Sequence, residues 1–106
     1  MTATAFVIGR ADEVPDGTAR RFDVRGHRIA VVRLGDRWYA IGDTCSHADV
    51  SLSEGEVDVD ACEIECWKHG STFSLETGEP STLPATQPVP VYDVRVVDGE
   101  IVVVIT

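Results

Sequence analysis

Two short motifs in the middle of the chain each combine a cysteine with a histidine: Cys45-Ser46-His47 and Cys66-Trp67-Lys68-His69. Eighteen residues separate the two motifs. Thiolate sulfur and imidazole nitrogen are both good ligands for iron and zinc. A fold that uses all four residues must bring two distant loops around one centre. If the two cysteines bind one metal and the two histidines bind another, that centre contains two metals. No other feature of the sequence constrains the fold as strongly.

A structural zinc site is the main alternative for the same four residues. Such sites usually combine a Cys-X2–4-Cys pair with a His-X3–5-His pair, whereas each motif here contains one ligand of each kind. We therefore favour a dinuclear centre over zinc. The third histidine, His27, has no cysteine partner near it and is interpreted as an ordinary residue of the turn after Gly26.

The chain has three cysteines, and an odd number argues against a framework of disulfides and for a reducing compartment. Cys62 is the cysteine outside the two motifs. We predict that it is a small buried residue on the strand that leads to Cys66, and not a metal ligand.

The sequence outside the motifs predicts an all-β fold. Six apolar runs are rich in Val, Ile, Tyr and Trp, which fit pleated strands. Short turns at Gly26 and at Asp98-Gly99 separate two pairs of these runs and predict hairpins. No segment has the pattern of an amphipathic helix over three turns. The predicted strands are residues 5–8, 20–24, 28–33, 38–41, 91–97 and 101–105.

The stretch from residue 43 to about residue 90 differs from the rest of the chain. Its apolar runs are short, Gly, Ser, Thr and Pro are frequent, and only residues 61–65 form a clear strand pattern. A long irregular stretch inside a compact domain is usually functional. All four candidate ligands lie in it, so we predict that the flanking strands form a scaffold for a site built from loops.

The net charge of −9 is unevenly distributed. Residues 1–37 contain seven arginines and five acidic residues, whereas residues 38–106 contain two basic and thirteen acidic residues. Nucleic-acid binding is not expected, because neutralising phosphates requires a basic face. The acidic part could attract a basic protein partner, or it could serve only solubility. The sequence leaves both interpretations open.

No membrane association is expected either. No apolar run approaches the roughly 20 residues that span a bilayer. Residues 1–10 lack the basic and apolar regions of a signal peptide. We therefore expect a cytoplasmic location.

The two motifs resemble the two-part motif of Rieske proteins, which bind a [2Fe-2S] cluster through two cysteines and two histidines. Residues 52–55 and 73–78 resemble the segments that follow the motifs in Rieske ferredoxins, and residues 83–92 resemble the proline-containing loop that covers the cluster. The resemblance spans essentially the whole chain. It fits best the ferredoxin component of bacterial non-haem iron, or aromatic-ring-hydroxylating, dioxygenase systems. It extends to small Rieske proteins found beside iron–sulfur assembly genes.

The resemblance implies one [2Fe-2S] cluster per chain. Cys45 and Cys66 would bind the inner iron, and His47 and His69 would bind the outer iron near the surface. Electrons would enter and leave at the histidine side.

The resemblance also implies a single Rieske domain, which is an antiparallel β-sandwich with a small cluster-binding subdomain inserted. The subdomain would comprise about residues 43–85. Residues 1–42 and 86–106 would form the β scaffold around it, in agreement with the pattern of strands and irregular chain.

The function implied is that of a soluble Rieske ferredoxin. It would carry single electrons from a flavoprotein NAD(P)H-dependent reductase to a terminal non-haem iron oxygenase. We interpret it as an electron-transfer component and not as an enzyme, because the sequence has neither a second iron site of the two-His-one-carboxylate kind nor a nucleophile motif. A redox accessory or sensor in iron–sulfur cluster assembly is the alternative.

Four further residues would surround the cluster. Ser71 and Phe73 take the places of a serine and a tyrosine that hydrogen-bond the cluster sulfurs in high-potential members of the family. Leu83 and Pro84 belong to the covering loop. Phe73 lacks the hydroxyl of the tyrosine, so the reduced state is less stabilised. We predict a midpoint potential near the low end of the Rieske range, about −150 mV.

Two positions in the motifs differ from the Rieske proteins of respiratory cytochrome bc complexes. Those proteins have an extra cysteine in each motif, joined by a disulfide, whereas the matching residues here are Val50 and Lys68. Trp67 and Lys68 lie between the ligands of the second motif and are predicted to be a partly exposed docking spot for a partner. Alternatively, Trp67 caps its loop hydrophobically and Lys68 pairs with a nearby acidic residue.

Overall fold

The computed structural model describes residues 3–46, 49–68, 70–81 and 85–105. Within these residues the chain forms nine strands and two short 3-10 helices, and every strand pair is antiparallel. The all-β prediction is thereby confirmed. The strands are Thr4–Arg10 (β1), Ala19–Val24 (β2), His27–Leu34 (β3), Arg37–Gly42 (β4), Val57–Asp58 (β5), Glu63–Glu65 (β6), Thr72–Ser74 (β7), Val91–Val97 (β8) and Glu100–Ile105 (β9), and the 3-10 helices are Ala11–Glu13 and Leu52–Glu54.

The larger sheet has six strands in the order β1-β9-β8-β4-β3-β2. Strand β8 joins its two halves, because the first two residues of β8 pair with β4 and the remaining five pair with β9. The hairpin turns Arg25-Gly26 and Asp98-Gly99 have positive φ at both residues. Such turns match the twist of the adjoining strands and fix their register. All six strands predicted from apolar runs are present, as β1, β2, β3, β4, β8 and β9.

The smaller sheet has three strands in the order β5-β6-β7. It is built from the chain between β4 and β8, the part that the sequence indicated as irregular. Strand β6 begins at Glu63, and Cys62 has a φ of 56° in the turn before it. The predicted strand 61–65 is therefore two residues too long, and Cys62 does not lie on it.

The buried apolar residues form two packed clusters on opposite faces of β3. Along this strand Ile29 and Val31 belong to one cluster, whereas Ala30 and Val32 belong to the other. Because both faces of the middle of β3 are covered, its residues 29–32 are continuously apolar and do not alternate. The scaffold core contains Val14, Val24, Ile29, Val31, Ala40, Ile101, Val103 and Ile105. The site core contains Ala30, Val32, Ile41, Cys45, Leu52, Ile64, Cys66, Phe73, Leu75, Ala85 and Val89.

No helix in the described part of the chain is long and apolar enough to cross a bilayer. The division into a subdomain of about residues 43–85 and a scaffold stays a prediction. The two sheets and the two packed clusters do not by themselves test where such a boundary lies.

Candidate metal centre

The two motif cysteines lie in the same core. Cys66 directly follows β6, and Cys45 follows β4 after two intervening residues. Cys45 is 4% exposed and Cys66 is fully buried, and both pack in the site core. All three cysteines of the chain lie in its described part, and none of them forms a disulfide. The sequence prediction that the cysteine side of the site is buried agrees with this placement.

Both cysteines begin a loop that is closed in the same way. The N–H of Cys45 donates to the carbonyl of Val50 at 3.0 Å, and the N–H of Cys66 donates to the carbonyl of Ser71 at 2.6 Å. In each loop the bond joins a cysteine to the residue five positions later. We call residues 45–50 the first loop and residues 66–71 the second loop.

The first loop is anchored at its base by the side chain of Asp43. This carboxylate is 1% exposed. One of its oxygens accepts a hydrogen bond from the hydroxyl of Ser51, and the other accepts one from the N–H of Ser53 at 2.9 Å. A bridge between Thr44 and Ser51 completes the closure. A buried carboxylate needs such donors, because an unpaired one would be strongly destabilising.

The backbone of Asp43 ties the same loop to the larger sheet. Its N–H donates to the carbonyl of Arg28 on β3 at 2.9 Å, and its carbonyl accepts from the N–H of Leu52 at 2.6 Å. The base of the first loop is therefore held by both strand β3 and the 3-10 helix Leu52–Glu54.

The second loop is a hairpin connection between β6 and β7. Glu65 pairs with Thr72 just outside it, and the N–H of Gly70 donates to the carbonyl of Cys66 at 2.9 Å inside it. Gly70 has a φ of 77°, a conformation that glycine adopts without steric cost. The second loop is therefore closed by backbone hydrogen bonds that extend the small sheet.

Gly55 lets the chain that leaves the first loop approach the chain that enters the second loop. A Cβ atom at this position would lie 1.7 Å from the carbonyl oxygen of Glu65. Next to this contact, the N–H of Glu65 donates to the carbonyl of Glu56 at 2.8 Å. Only glycine permits this approach, which places the chain after the first loop beside the residue that precedes Cys66.

The segment 85–89 contacts both loops. The hydroxyl of Ser46 donates to the carbonyl of Gln87 at 2.5 Å, and the N–H of Ala85 donates to the hydroxyl of Ser71 at 3.0 Å. Ser71 is fully buried, and because its oxygen accepts this bond its proton stays able to donate to another acceptor. The segment therefore links the two loops through one hydrogen bond to each, and we call this pair of bonds the clip.

Four residues predicted for the site, His47, His69, Leu83 and Pro84, lie outside the described residues. In the described ranges no three His, Cys, Asp or Glu side chains form a group that could hold a metal ion. The described donor set is therefore the pair of buried cysteines. Two thiolates in an apolar core fit one half of an iron–sulfur site, and the histidine ligands stay a prediction.

Phe73 is fully buried in the site core, on the strand that follows the second loop. A phenyl ring there excludes water from the side of the core that holds Cys45 and Cys66. Its place beside a cluster stays a prediction, and its side chain has no hydrogen-bond donor.

The residues at the surface of the two loops are more exposed. Trp67 is 53% exposed, and Lys68 is exposed, whereas Val50 is partly buried. A groove of ≈ 340 Å³ runs beside the first loop. Its lining is mostly polar and contains basic as well as acidic side chains. The lining residues are Arg21, Arg28, Asp43, Thr44, Asp49, Val50, Ser51, Glu54 and Trp67.

Two sequence interpretations are corrected. His27 is not a turn residue, because it is the first residue of β3, and its Nδ1 lies 3.3 Å from the hydroxyl of Tyr92 on β8. Burial raises the pKa of Tyr92. Cys62 is partly buried in a turn instead of on a strand. A hydrogen bond with Cys62, together with burial, raises the pKa of Tyr39.

The sequence interpretation missed Asp43 and the clip formed by Ser46. A polar residue directly after the apolar run 38–41 and two residues before a motif cysteine was the available signal for Asp43. Nothing in the sequence indicated that Ser46 contacts Gln87, because 41 residues separate them.

Comparisons with known proteins agree with this geometry. The sequence model of the family described as Rieske [2Fe-2S] domain matches residues 4–93. The 3-phenylpropionate/cinnamic acid dioxygenase ferredoxin subunit of Escherichia coli (strain K12) is 44% identical over 89 residues, which cover 84% of this chain and 82% of that protein.

Two solved structures are similar over nearly the whole chain. The ferredoxin of carbazole 1,9a-dioxygenase from Nocardioides aromaticivorans IC177 has a TM-score of 0.90 and 41% identity, covering 94% of this chain and 96% of that one. A ferredoxin solved in a complex of reduced oxygenase and oxidized ferredoxin in carbazole 1,9a-dioxygenase has a TM-score of 0.84 and 42% identity, covering 93% and 91%.

Proposed function

Because this chain belongs to the Rieske [2Fe-2S] domain family, we propose that it carries single electrons from a flavoprotein NAD(P)H-dependent reductase to a terminal non-haem iron oxygenase. The observation that carries the proposal is the pair of buried cysteines, Cys45 and Cys66, which begin two equally closed loops in one core. The relatives described above are named as ferredoxin components of dioxygenase systems.

The cofactor of this family is a [2Fe-2S] cluster, which accepts and releases one electron at a time. Cys45 and Cys66 would supply its thiolate ligands, and His47 and His69 its imidazole ligands. The hydrogen bonds that close both loops hold the backbone of the two cysteines in place. A ligand set that is held in place changes little in geometry between redox states.

The ligand set also sets the range of the reduction potential. Two thiolates and two neutral imidazoles leave an oxidised cluster formally neutral, so it accepts an electron more easily than an all-cysteine cluster. Phe73 adds no hydrogen-bond donor, and Ser71 adds at most one. We propose a potential near the low end of the Rieske range, about −150 mV.

The partner side of the proposal rests on the solved complex in which a similar ferredoxin is bound to its oxygenase. We propose that the surface around the second loop, with Trp67 and Lys68, meets the partner. The protein itself would transform no substrate, because that chemistry would belong to the oxygenase. We also propose a cytoplasmic location, which the absence of a disulfide among its three cysteines supports.

The relatives favour this carrier role over a role in iron–sulfur cluster assembly, since their names place them in dioxygenase systems. The domain division into residues 43–85 and a scaffold of 1–42 and 86–106 stays part of the proposal. It rests on the smaller sheet being formed entirely between β4 and β8.

A reconstituted electron-transfer chain tests the proposal. NAD(P)H, the flavoprotein reductase, this protein and the cognate oxygenase are combined, and product is measured with each component omitted in turn. We expect reduction of this protein by the reductase and its reoxidation by the oxygenase, with no product when this protein is omitted. Product formation at an equal rate without it would contradict the proposal.

A further inference from the structure

Asp43 is a buried charge whose role the proposed function does not use. Its carboxylate is 1% exposed and lies at the base of the first loop, two residues before Cys45. Both oxygens accept hydrogen bonds, from Ser51 and Ser53. No buried side-chain nitrogen or oxygen in the described part of the chain lacks a partner. The site is therefore complete as a hydrogen-bonded unit.

Among the residues that the structure describes, no salt bridge includes Asp43. The salt bridges among the described residues join Arg10 to Asp12, Arg20 to Glu13 and Arg21 to Asp23. Arg21 is engaged first by Asp23, which raises its pKa through a hydrogen bond, and the charges of Asp43 and Glu54 add smaller effects. The described groups that act on the Asp43 carboxylate are its two hydrogen-bond donors and, at a distance, Arg21.

The hydrogen bonds of Asp43 do not by themselves require a charge. The hydroxyls of Ser51 and Ser53 lie 2.8 Å apart, and either can be the donor of the bond between them. If an asparagine replaced Asp43, the Ser51 hydroxyl could turn toward Ser53 and accept from the new amide. The amide oxygen could still accept from the N–H of Ser53. An amide would therefore hold the loop, so the property that distinguishes aspartate here is its charge.

We propose that Asp43 is a positioning residue of the cluster site whose fixed, buried negative charge lowers the reduction potential. The proposal rests on the proposed cluster at Cys45 and Cys66. One-electron reduction adds a negative charge to the site, and a negative charge already buried nearby disfavours that step. The effect is large for a buried group because the low local dielectric screens it little. Exposed acidic residues act weakly, because water and salt screen them.

The test compares two substitutions that each remove one negative charge from the same region. Asp43→Asn removes the buried charge, and Glu54→Gln is the matched control, since Glu54 is exposed on the neighbouring 3-10 helix. The midpoint potential of each holoprotein is measured by voltammetry at one pH and one salt concentration. Electron paramagnetic resonance of the reduced proteins checks that the ligands are unchanged.

We expect Asp43→Asn to raise the one-electron reduction equilibrium constant about tenfold, which corresponds to about 59 mV. The control should change it less than about twofold, because exposed charges contribute little. A purely structural role for Asp43 predicts a lost cluster or an altered electron paramagnetic resonance spectrum in Asp43→Asn, and not a shift in potential at an unchanged spectrum. A shift in Asp43→Asn no larger than that in Glu54→Gln would overturn the proposal.

A second variant tests the effect of the Asp43 charge on the potential if Asp43→Asn does not retain a cluster. Ser51→Ala keeps the charge of Asp43 and removes one of its two donors, which leaves the charge less compensated. We expect its potential to fall, opposite in sign to the shift in Asp43→Asn. An unchanged or raised potential in Ser51→Ala would overturn the proposal.

The wild-type spectrum separates this inference from the proposed function. If the reduced wild-type protein gives no Rieske signal, the proposed function fails and this inference fails with it. If the wild type gives that signal while Asp43→Asn and Glu54→Gln shift equally, this inference alone fails.

Discussion

The two cysteine loops reach the same closure through different kinds of support. In both, a cysteine N–H donates to the carbonyl five residues later. The second loop needs little else, because β6 and β7 pair on either side of it. The first loop has no strand pair of that length beside it. It depends on the buried side chain of Asp43 and on hydrogen bonds from Ser51 and Ser53.

Two loops with the same backbone closure can therefore be held in different ways. Strand pairing holds the second loop, and a buried carboxylate holds the first. The support of the second loop is local, since it lies within a hairpin. That of the first loop is assembled from β3, the 3-10 helix Leu52–Glu54 and segment 85–89. We therefore expect the closure of the first loop to depend on the side chain of Asp43, and the closure of the second loop to depend on the pairing of β6 with β7.

The largest expected effect concerns the feature that the two loops share. Cys45→Ser and Cys66→Ser should each abolish cluster binding, because a hydroxyl is a poor substitute for a thiolate ligand to iron. Iron and sulfide content and the visible absorption spectrum of the purified variants measure this. Cys62→Ser is the matched control, since Cys62 lies in a turn outside both loops, and it should keep a full cluster. Equal loss in all three variants would contradict the assignment.

The next effect tests the place where the two loops approach each other. In Gly55→Ala the new Cβ would lie 1.7 Å from the carbonyl oxygen of Glu65, so the chain must move apart. We expect a loss of about 3 kcal/mol in the free energy of unfolding, in the upper range for forced overpacking, together with weaker cluster retention.

Gly35→Ala is the control for that substitution. Gly35 has a φ of 64°, and a Cβ atom added to it would have no neighbouring atom within 4 Å. Alanine there should cost about 1 kcal/mol through backbone strain alone, with the cluster retained. Urea unfolding of both variants gives the comparison. Equal losses would show that the contact between Gly55 and Glu65 does not hold the loops together.

A smaller effect on the free energy of unfolding is expected when either hydrogen bond between a loop and segment 85–89 is removed. Ser71→Ala leaves the buried N–H of Ala85 without its acceptor and should cost about 1–3 kcal/mol. Ser46→Ala removes a bond at an exposed position and should cost less than about 1 kcal/mol. The free energies of unfolding from urea titrations test this order. The reverse order would contradict the view that the clip is stronger at the second loop.

The smallest effect concerns the potential. Phe73→Tyr would add a hydroxyl on the strand after the second loop. We expect the midpoint potential to rise by less than about 59 mV. That limit corresponds to a tenfold change in the one-electron equilibrium constant. Voltammetry of the purified variant measures the shift. A fall in potential would show that the new hydroxyl points away from the cluster sulfurs.

Much of the fold could be predicted from the sequence, because its long strands have clear apolar runs and its hairpins have glycine turns. The small sheet was recognised only at β6. Strands β5 and β7 have two and three residues, too few for a pattern of alternation. The three short strands are held together by the packing of Ile64 and Phe73 in the site core and of Val57 against it.

The candidate site was predictable where single residues carry the chemistry. Cys45 and Cys66 stood out by type and spacing, and both are buried together. The support of the site was less accessible. Asp43 resembles an ordinary polar residue at the end of a strand, and the need for glycine at position 55 arises from a contact with Glu65 that no local pattern encodes. The predictions for His47, His69, Leu83 and Pro84 stay open, since these residues lie outside the described ranges.

The electron paramagnetic resonance spectrum of the reduced protein tests the central claim most directly, because it reports the ligands of the cluster. Two imidazole ligands should give a lower average g value than four cysteines, with nitrogen hyperfine couplings from two histidines. We predict such a spectrum, retained in Cys62→Ser and absent in Cys45→Ser and Cys66→Ser. A colourless protein that contains zinc, or a spectrum without nitrogen couplings, would contradict the account.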